Sequence, residues 1–164
     1  MTVTSRVPAL LDYLVTLFAS DPTLGASTTA PVTVYDGPPV TALNAPLSLY
    51  VGLTDPDSGA MEPMAESQQT WAALGRRGRD EIVTIHCVAE AWSGSDSVQS
   101  QRIAAAGIVA AVETLMQADT TQFGGNILFP DPGMAVVAWS QNTTSTGAIA
   151  RAAFDLVFKS RIGG

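Results

Sequence analysis

The segment from residue 150 to residue 161 alternates between two kinds of position. Even positions are apolar or small and odd positions hold most of the charge: Ala150, Ala152, Phe154, Leu156, Phe158 and Ser160 against Arg151, Ala153, Asp155, Val157, Lys159 and Arg161. A period of two predicts a β-strand with one buried face. We expect the even face to pack on a helix, and the odd face to be left for solvent or for a neighbouring subunit.

Similar patterns define the other elements. A helix ending at residue 20 is predicted with Thr4 or Ser5 as its cap, and a long helix ending near Asp119 is predicted with Ser95 or Asp96 as its cap. Strands are predicted at residues 32–35, 47–53, 68–74, 79–92, 134–140 and 148–161. Glu81 shares the apolar face of the 79–92 strand, and we expect it at the exposed end of that face. The predicted fold is therefore α+β, with one mainly antiparallel sheet packed by the N-terminal helix and the long central helix. We expect a single domain, 1–164.

The charges are few and unevenly placed. Charged residues make up 14% of the chain and the net charge is −7. Four acids lie in a loop predicted at 54–66, and three bases follow shortly afterwards: Asp55, Asp57, Glu62 and Glu66, then Arg76, Arg77 and Arg79. An acidic chain is a poor sequence-independent binder of nucleic acid, because that affinity rests on Lys and Arg contacts to phosphate. The seven residues form two unlike charged patches, and we take them as the candidate site residues of the chain.

The sequence contains few residues that could carry out catalysis. His86 is the only histidine, and its neighbour Cys87 is the only cysteine. Adjacent side chains in a strand point to opposite faces, so the two cannot form a catalytic dyad. Paired carboxylates occur only in loops, with no apolar pocket evident beside them. We predict no catalytic residue, no cofactor site and no enzymatic activity.

Metal and phosphate binding are also not predicted. Glu66 stands twelfth when Asp55 is counted first, as in a calcium loop, but Gly59 offers no side-chain ligand and Ala60 stands where the turn requires glycine. The basic turn at 75–79 lacks the spacing of a nucleotide-binding loop. The single cysteine suits a reducing compartment. We expect no signal peptide and no membrane-spanning segment.

Four phrases of the sequence resemble a known family. They are residues 32–36 (VTVYD), 49–52 (LYVG), 81–92 (EIVTIHCVAEAW) and 150–158 (ARAAFDLVF). With the order of the predicted elements, they resemble tail terminator (tail-completion) proteins of long-tailed, non-contractile phages that infect actinobacteria. The likeness covers nearly the whole chain, as a pattern of strands rather than a signature motif.

The resemblance implies a virion protein with the tail-terminator fold that assembles as a homohexameric ring. Such a ring caps the tail tube, ends its polymerisation and contacts neck or head-completion proteins, while DNA passes through the hole without specific binding. It implies a location at the neck end of the tail, and in the host cytoplasm during assembly. In that setting, the acidic loop could meet the basic turn of a neighbour or line the channel, and residues 54–66 could become ordered only on docking.

Two other classes of function stay open. The chain could be another neck or head–tail joining protein, or a tail tube subunit, although the long helix is less typical of a tube subunit. It could also be an enzyme or a small-ligand binding module, for which only His86 and scattered carboxylates are available.

Overall fold

The fold is built on one six-stranded sheet with both long helices on the same face. The computed structural model describes residues 4–39, 45–71, 78–95, 97–127 and 133–163. Its elements, in chain order, are helix α1 (Val7–Ser20), strands β1 (Thr33–Asp36), β2 (Leu47–Val51), β3 (Ala65–Trp71) and β4 (Arg79–Ser93), helix α2 (Val98–Ala118), the short turn Gln122–Gly125, and strands β5 (Gly133–Thr144) and β6 (Gly147–Ile162). The predicted α+β class, with a mainly antiparallel sheet and two packing helices, is confirmed.

The strand order is β1-β2-β4-β6-β5, and β3 also pairs with β4. Among the strand pairs of the described residues, β1–β2 alone is parallel. The sheet is centred on β4 and β6, which pair along all 15 residues of β4. Strand β2 pairs with the second half of β4, from Cys87 to Ala91, and β3 pairs with the first half, from Arg79 to Ile85. Strands β1 and β5 therefore lie at opposite edges of the sheet.

The core lies between the sheet and the helices. The even face of β6 is buried, as the alternation predicted, and it packs against α2 residues such as Ile108 and Val112. Helix α1 contributes Leu10, Leu14 and Phe18 to the same cluster. We call the opposite side of the sheet the open face. It carries a smaller apolar cluster, in which Tyr35 stacks on Tyr50 with ring centroids 5.0 Å apart.

A left-handed turn follows α2 and anchors the next segment in the core. The four residues Gln122–Gly125 all have positive φ angles, of 55°, 52°, 68° and 77°. Positive φ is unusual for residues other than glycine. In this turn, the conformation places the Phe123 ring in the core. That ring lies edge-on to Phe158, with centroids 5.1 Å apart, and is fully buried.

The helix caps differ from those predicted. Helix α1 has Arg6 at its N-cap position without a side-chain cap, while the Ser5 hydroxyl accepts a hydrogen bond from the Val7 amide. Helix α2 is capped by Ser97, whose hydroxyl accepts from the Ser100 amide. The predicted cap Ser95 lies before the helix, and Asp96 lies outside the described residues.

The position of Glu81 also contradicts the sequence analysis, which places it at the exposed end of its strand. The side chain is 1% exposed and lies beside the start of α1. Five groups donate hydrogen bonds to its carboxylate: the Ser5 hydroxyl at 2.6 Å, the Arg6 amide at 2.8 Å, the Ser67 hydroxyl at 2.6 Å, the Gln69 side-chain amide at 3.1 Å and the Ser160 hydroxyl at 3.2 Å. This carboxylate holds the start of α1 against β3, β4 and β6.

Candidate assembly surface

The acidic loop connects β2 to β3 and is organised by its own hydrogen bonds. The Glu62 carboxylate accepts from the Thr54 hydroxyl and from the Asp55 amide, the latter at 2.9 Å. The Asp55 carboxylate accepts from the Asp57 amide at 3.0 Å. These contacts lie within one chain and join residues 54 and 55 to Glu62, and Asp55 to residue 57.

Arg151 binds this loop to the open face of the sheet. Its guanidinium donates to Glu90 on β4 at 2.6 Å and to the two carboxylate oxygens of Asp57 at 2.6 and 3.0 Å. Asp55 is more distant, at 4.0 Å. We call Arg151, Glu90 and Asp57 the Arg151 cluster. It joins a loop to two central strands through one side chain.

The electrostatics of the cluster favour its charged form. Hydrogen bonding to Arg151 lowers the pKa of Asp57 from its usual value. Burial acts to lower the pKa of Arg151, but Asp57 and Glu90 outweigh burial and raise it. Burial, together with the charge of Glu90, raises the pKa of neighbouring Tyr50 to about 12. The charges of Asp57 and Arg151 therefore persist at neutral pH, beside a neutral tyrosine.

The structure separates the predicted site residues into several groups. Asp55 and Asp57 are exposed on the loop, and Glu62 is half-buried within it. The strand predicted at 68–74 begins earlier, at Ala65, so Glu66 is exposed on β3 and not in the loop.

The basic residues are less completely described. Arg79 begins β4, and its guanidinium lies 5.9 Å from the centroid of the Trp71 ring. Arg76 and Arg77, with the end of the predicted strand at residue 74, lie outside the described residues.

Sequence reasoning did not assign Arg151 and Glu90 to this site. The feature of the sequence that could have identified Arg151 is its position on the charged odd face of β6. Three charges of that predicted open face have partners in the chain: Arg151, as described, Asp155 with His86, and Arg161, which donates to Asp80 at 2.6 Å. The expectation that this face is left for solvent or a neighbour therefore holds best for the exposed Lys159.

His86 and Asp155 form a cross-strand pair on the open face. The imidazole Nδ1 lies 2.7 Å from an Asp155 carboxylate oxygen, and Nε2 is buried with no hydrogen-bond partner among the described residues. Cys87 is buried on the helix side of the sheet, where burial raises the pKa of its thiol to about 12. The predicted opposite orientation of His86 and Cys87 is confirmed, and the imidazole cannot activate this thiol.

A cavity of about 630 Å³ lies where the acidic loop returns to the helix side. Its apolar wall includes Leu11, Val51, Leu53 and Met64, and Glu62 also lines it. No apolar pocket was expected beside the loop carboxylates, and on this point the sequence analysis was wrong. The cavity forms from residues that are distant in the chain.

The described residues contain neither a metal-binding cluster nor a membrane-spanning helix. Across the described segments, no group of three or more His, Cys, Asp or Glu side chains is placed to hold a metal ion. No helix in that part of the chain is both long enough and apolar enough to cross a membrane.

Two comparisons with known proteins identify no relative of the chain. No protein-family model matches the chain, and a search of curated proteins finds no match.

Proposed function

We propose that the chain is a structural subunit of a long-tailed, non-contractile phage, in which it acts as the tail terminator. In this proposal, six copies form a ring at the neck end of the tail tube. The ring ends polymerisation of the tube protein and contacts the neck proteins, and DNA passes through it without specific binding. The proposal is supported by the four sequence phrases and by an α+β fold of the kind that the resemblance implies.

The observation that carries the proposal is the exposure of large apolar side chains in the acidic loop and at the end of the strand that follows it. Met61 is 101% exposed, Met64 51% and Trp71 71%. Met61 and Met64 lie three residues apart in the loop, while Trp71 ends β3. Methionine and tryptophan are enriched in protein interfaces, where they bury large areas. Their exposure on one loop-and-strand segment favours a surface that is covered on assembly.

The charges around this surface suit contact with protein more than contact with DNA. Asp55 and Glu66 remain exposed, while Asp57 is held by Arg151 of its own chain. The proposed contact between the acidic loop and the basic turn of a neighbour therefore rests mainly on Asp55, Glu66 and the arginines at 76 and 77. If this acidic surface lines the channel, it repels phosphate and lets DNA slide.

The decisive experiment measures the mass of the purified protein in solution and examines its shape by negative-stain electron microscopy. We expect particles of about six subunits of 17.0 kDa with a central hole. The ring should also bind one end of tubes assembled from the tail tube protein of the same phage. A protein that stays a single subunit at all concentrations, with and without tubes, would refute the proposal.

A charge-reversal variant tests the predicted contact separately. Replacing Arg76 and Arg77 with Glu should reduce the ring to single subunits, because acids would then face the acidic loop. Lys159→Glu, on the exposed end of the odd face of β6, is the matched control and should leave the ring intact. Unchanged assembly of the double variant would exclude this contact without excluding the ring.

The cavity favours one other candidate, a small-ligand binding module. Its volume of about 630 Å³ lies within the range of about 300–1,000 Å³ usual for ligand sites. A thermal-shift screen with small apolar and amphipathic compounds tests it. A monomer that is stabilised by a compound, and loses that stabilisation in Leu53→Trp, would support this candidate over the ring.

A further inference from the structure

Strand β5 is an edge strand that lacks the usual protection against pairing. Within the described residues, it pairs only with β6. Its sequence, GMAVVAWSQNTT, contains no charged residue and no proline. Natural sheets normally place such residues on long edge strands to prevent association with other chains. A bulge between Val136 and Ala138 interrupts β5, but residues 138–144 pair with β6 without a break.

Neither face of β5 is covered by the rest of the described chain from residue 138 to residue 144. All the side chains from residue 138 to residue 144 are exposed, although successive residues point to opposite faces of the sheet. Trp139, on the same face as the helices, is 52% exposed. A second strand could therefore be added beside β5 without displacing any described element.

The opposite edge of the sheet offers a strand at the same level. The paired residues can be traced across the sheet from β1 through β2, β4 and β6 to β5. Three residues of β1 then lie in the same cross-strand row as three residues of β5: Thr33 with Ser140, Val34 with Trp139, and Tyr35 with Ala138. Among the described residues, β1 pairs only with β2. The sheet of one copy can thus continue into the sheet of the next with no shift along the strands.

The strand directions also suit this continuation. One parallel pair and three antiparallel pairs separate β1 from β5, so the two edge strands run in opposite directions. If neighbouring copies keep the same orientation, β5 meets β1 of the next copy as an antiparallel pair. Antiparallel pairing is slightly more stable per residue than parallel pairing.

We propose that β5 of one subunit pairs with β1 of a second copy of this chain, in the register that places Trp139 opposite Val34. The same register places the small Ala138 opposite the large Tyr35 and pairs the hydroxyls of Ser140 and Thr33, and none of these three pairs contains a charge. Aromatic–aliphatic and hydroxyl pairs of this kind stabilise adjacent strands. Because the two edges differ, the contact is head-to-tail and closes into a ring where its rotation fits. This inference rests on the ring proposed above and names the contact that builds it.

Disulfide cross-linking between two variants that each carry one added cysteine tests the pairing. Thr33→Cys is mixed with Ser140→Cys and oxidised, and Ala138→Cys and Asn142→Cys replace Ser140→Cys in parallel mixtures to cover a register shift of two. We expect a cross-linked dimer in the Thr33 and Ser140 mixture and not with Gln117→Cys, an exposed control on α2. The native Cys87 is buried and does not contribute. A dimer formed by Ser140→Cys alone would indicate a two-fold β5–β5 contact and overturn the proposal.

A second variant places charge on the same edge. Ala138→Lys combined with Ser140→Lys should reduce the particle to single subunits of 17.0 kDa, while Thr114→Lys combined with Gln117→Lys on exposed positions of α2 should not. Three results together would refute the edge pairing while the ring stands: rings form, no mixture gives a cross-linked dimer, and the β5 lysines do not change the size of the particle. If the wild-type chain never forms a ring, the proposed function fails and the pairing fails with it.

Discussion

The Ser5 hydroxyl donates a hydrogen bond of 2.6 Å to the Glu81 carboxylate, across 76 positions of the chain. The same carboxylate accepts from the Arg6 amide, so it takes the place of a side-chain cap at the start of α1. A negative charge is favourable at a helix N-terminus because of the helix dipole. One buried acid thus supplies both the cap and the attachment of the helix.

Replacing Glu81 with Gln should destabilise the protein. The neutral side chain keeps one acceptor oxygen for five donors, and we expect a loss of about 2 kcal/mol in the free energy of unfolding. For a chain of this size, this corresponds to a fall in Tm of roughly 4–8 °C. Glu113→Gln, on an exposed position of α2, is the control and should leave Tm nearly unchanged.

The same variant should change the pH dependence of stability. Burial acts to raise the pKa of Glu81, but the hydrogen bonds from Ser5, Ser67, Arg6 and Gln69 outweigh burial and lower it below 4.5. A carboxyl group with a lowered folded-state pKa stabilises the protein fully above its unfolded pKa and loses that effect as pH falls through the folded value. The difference in Tm between wild type and Glu81→Gln should therefore shrink below about pH 4.3. A difference that stays constant down to pH 2 would contradict this role.

Loss of the Arg151 cluster should release the acidic loop. In Arg151→Met, the loop loses its attachment to the sheet and Glu90 is left buried without its partner. We expect faster hydrogen exchange of the amides of residues 55, 57 and 58 and a loss of about 3 kcal/mol in the free energy of unfolding. Asp57→Asn should speed exchange in the same amides at a cost of less than about 1 kcal/mol, since its carboxylate is largely exposed. Equal exchange in the loop of all three proteins would show that the cluster does not hold it.

Cys87 should be unreactive in the folded protein. Burial excludes reagents and raises its pKa to about 12, so little thiolate exists at pH 8. A thiol reagent such as DTNB should modify no cysteine under native conditions and one per chain in denaturant. Gln117→Cys, with an exposed thiol on α2, should react at once and shows that the reagent is active. Rapid native modification of the wild type would place Cys87 outside the core.

Two glycines should respond in opposite directions to alanine. Gly107 lies in α2 with open space where a Cβ would stand, so Gly107→Ala should stabilise the protein by about 0.5–1 kcal/mol. Gly147 has a φ of +141°, and a Cβ there would lie 2.0 Å from the carbonyl oxygen of Ser93. Gly147→Ala should therefore lower the free energy of unfolding by about 2 kcal/mol. Thermal unfolding of the two variants in parallel provides the comparison, and a shared direction of change would contradict it.

The parts of the fold that were predictable are those with a strong periodic pattern. Strand β6 alternates along its length, and both β4 and α2 carry continuous apolar faces, so their positions were predicted within a few residues. Strand β3 has the sequence AESQQTW and is exposed at nearly every position. No apolar face marks such a strand, and the prediction placed it three residues too late.

The candidate site was less predictable because its contacts are long-range. Asp57 was identified as a charged loop residue, but its partner Arg151 lies 94 positions away. Glu81 was judged exposed because its local sequence begins a strand, while its hydrogen-bond donors come from the N-terminus, β3 and β6. Pairings of this kind depend on the topology of the sheet, which local sequence does not encode.

The position of β6 in the sheet has a consequence for synthesis on the ribosome. Strand β6 is central, yet it follows all the other strands in the chain, and Arg79 of β4 pairs with Ile162. Until β6 has left the ribosome, β4 lacks one of its neighbours and α2 lacks much of the apolar surface on which it packs. Chains that expose such surface during synthesis are prone to aggregate. Folding is therefore delayed until translation has passed β6, and a nascent chain stalled before that point would depend on chaperones to stay soluble.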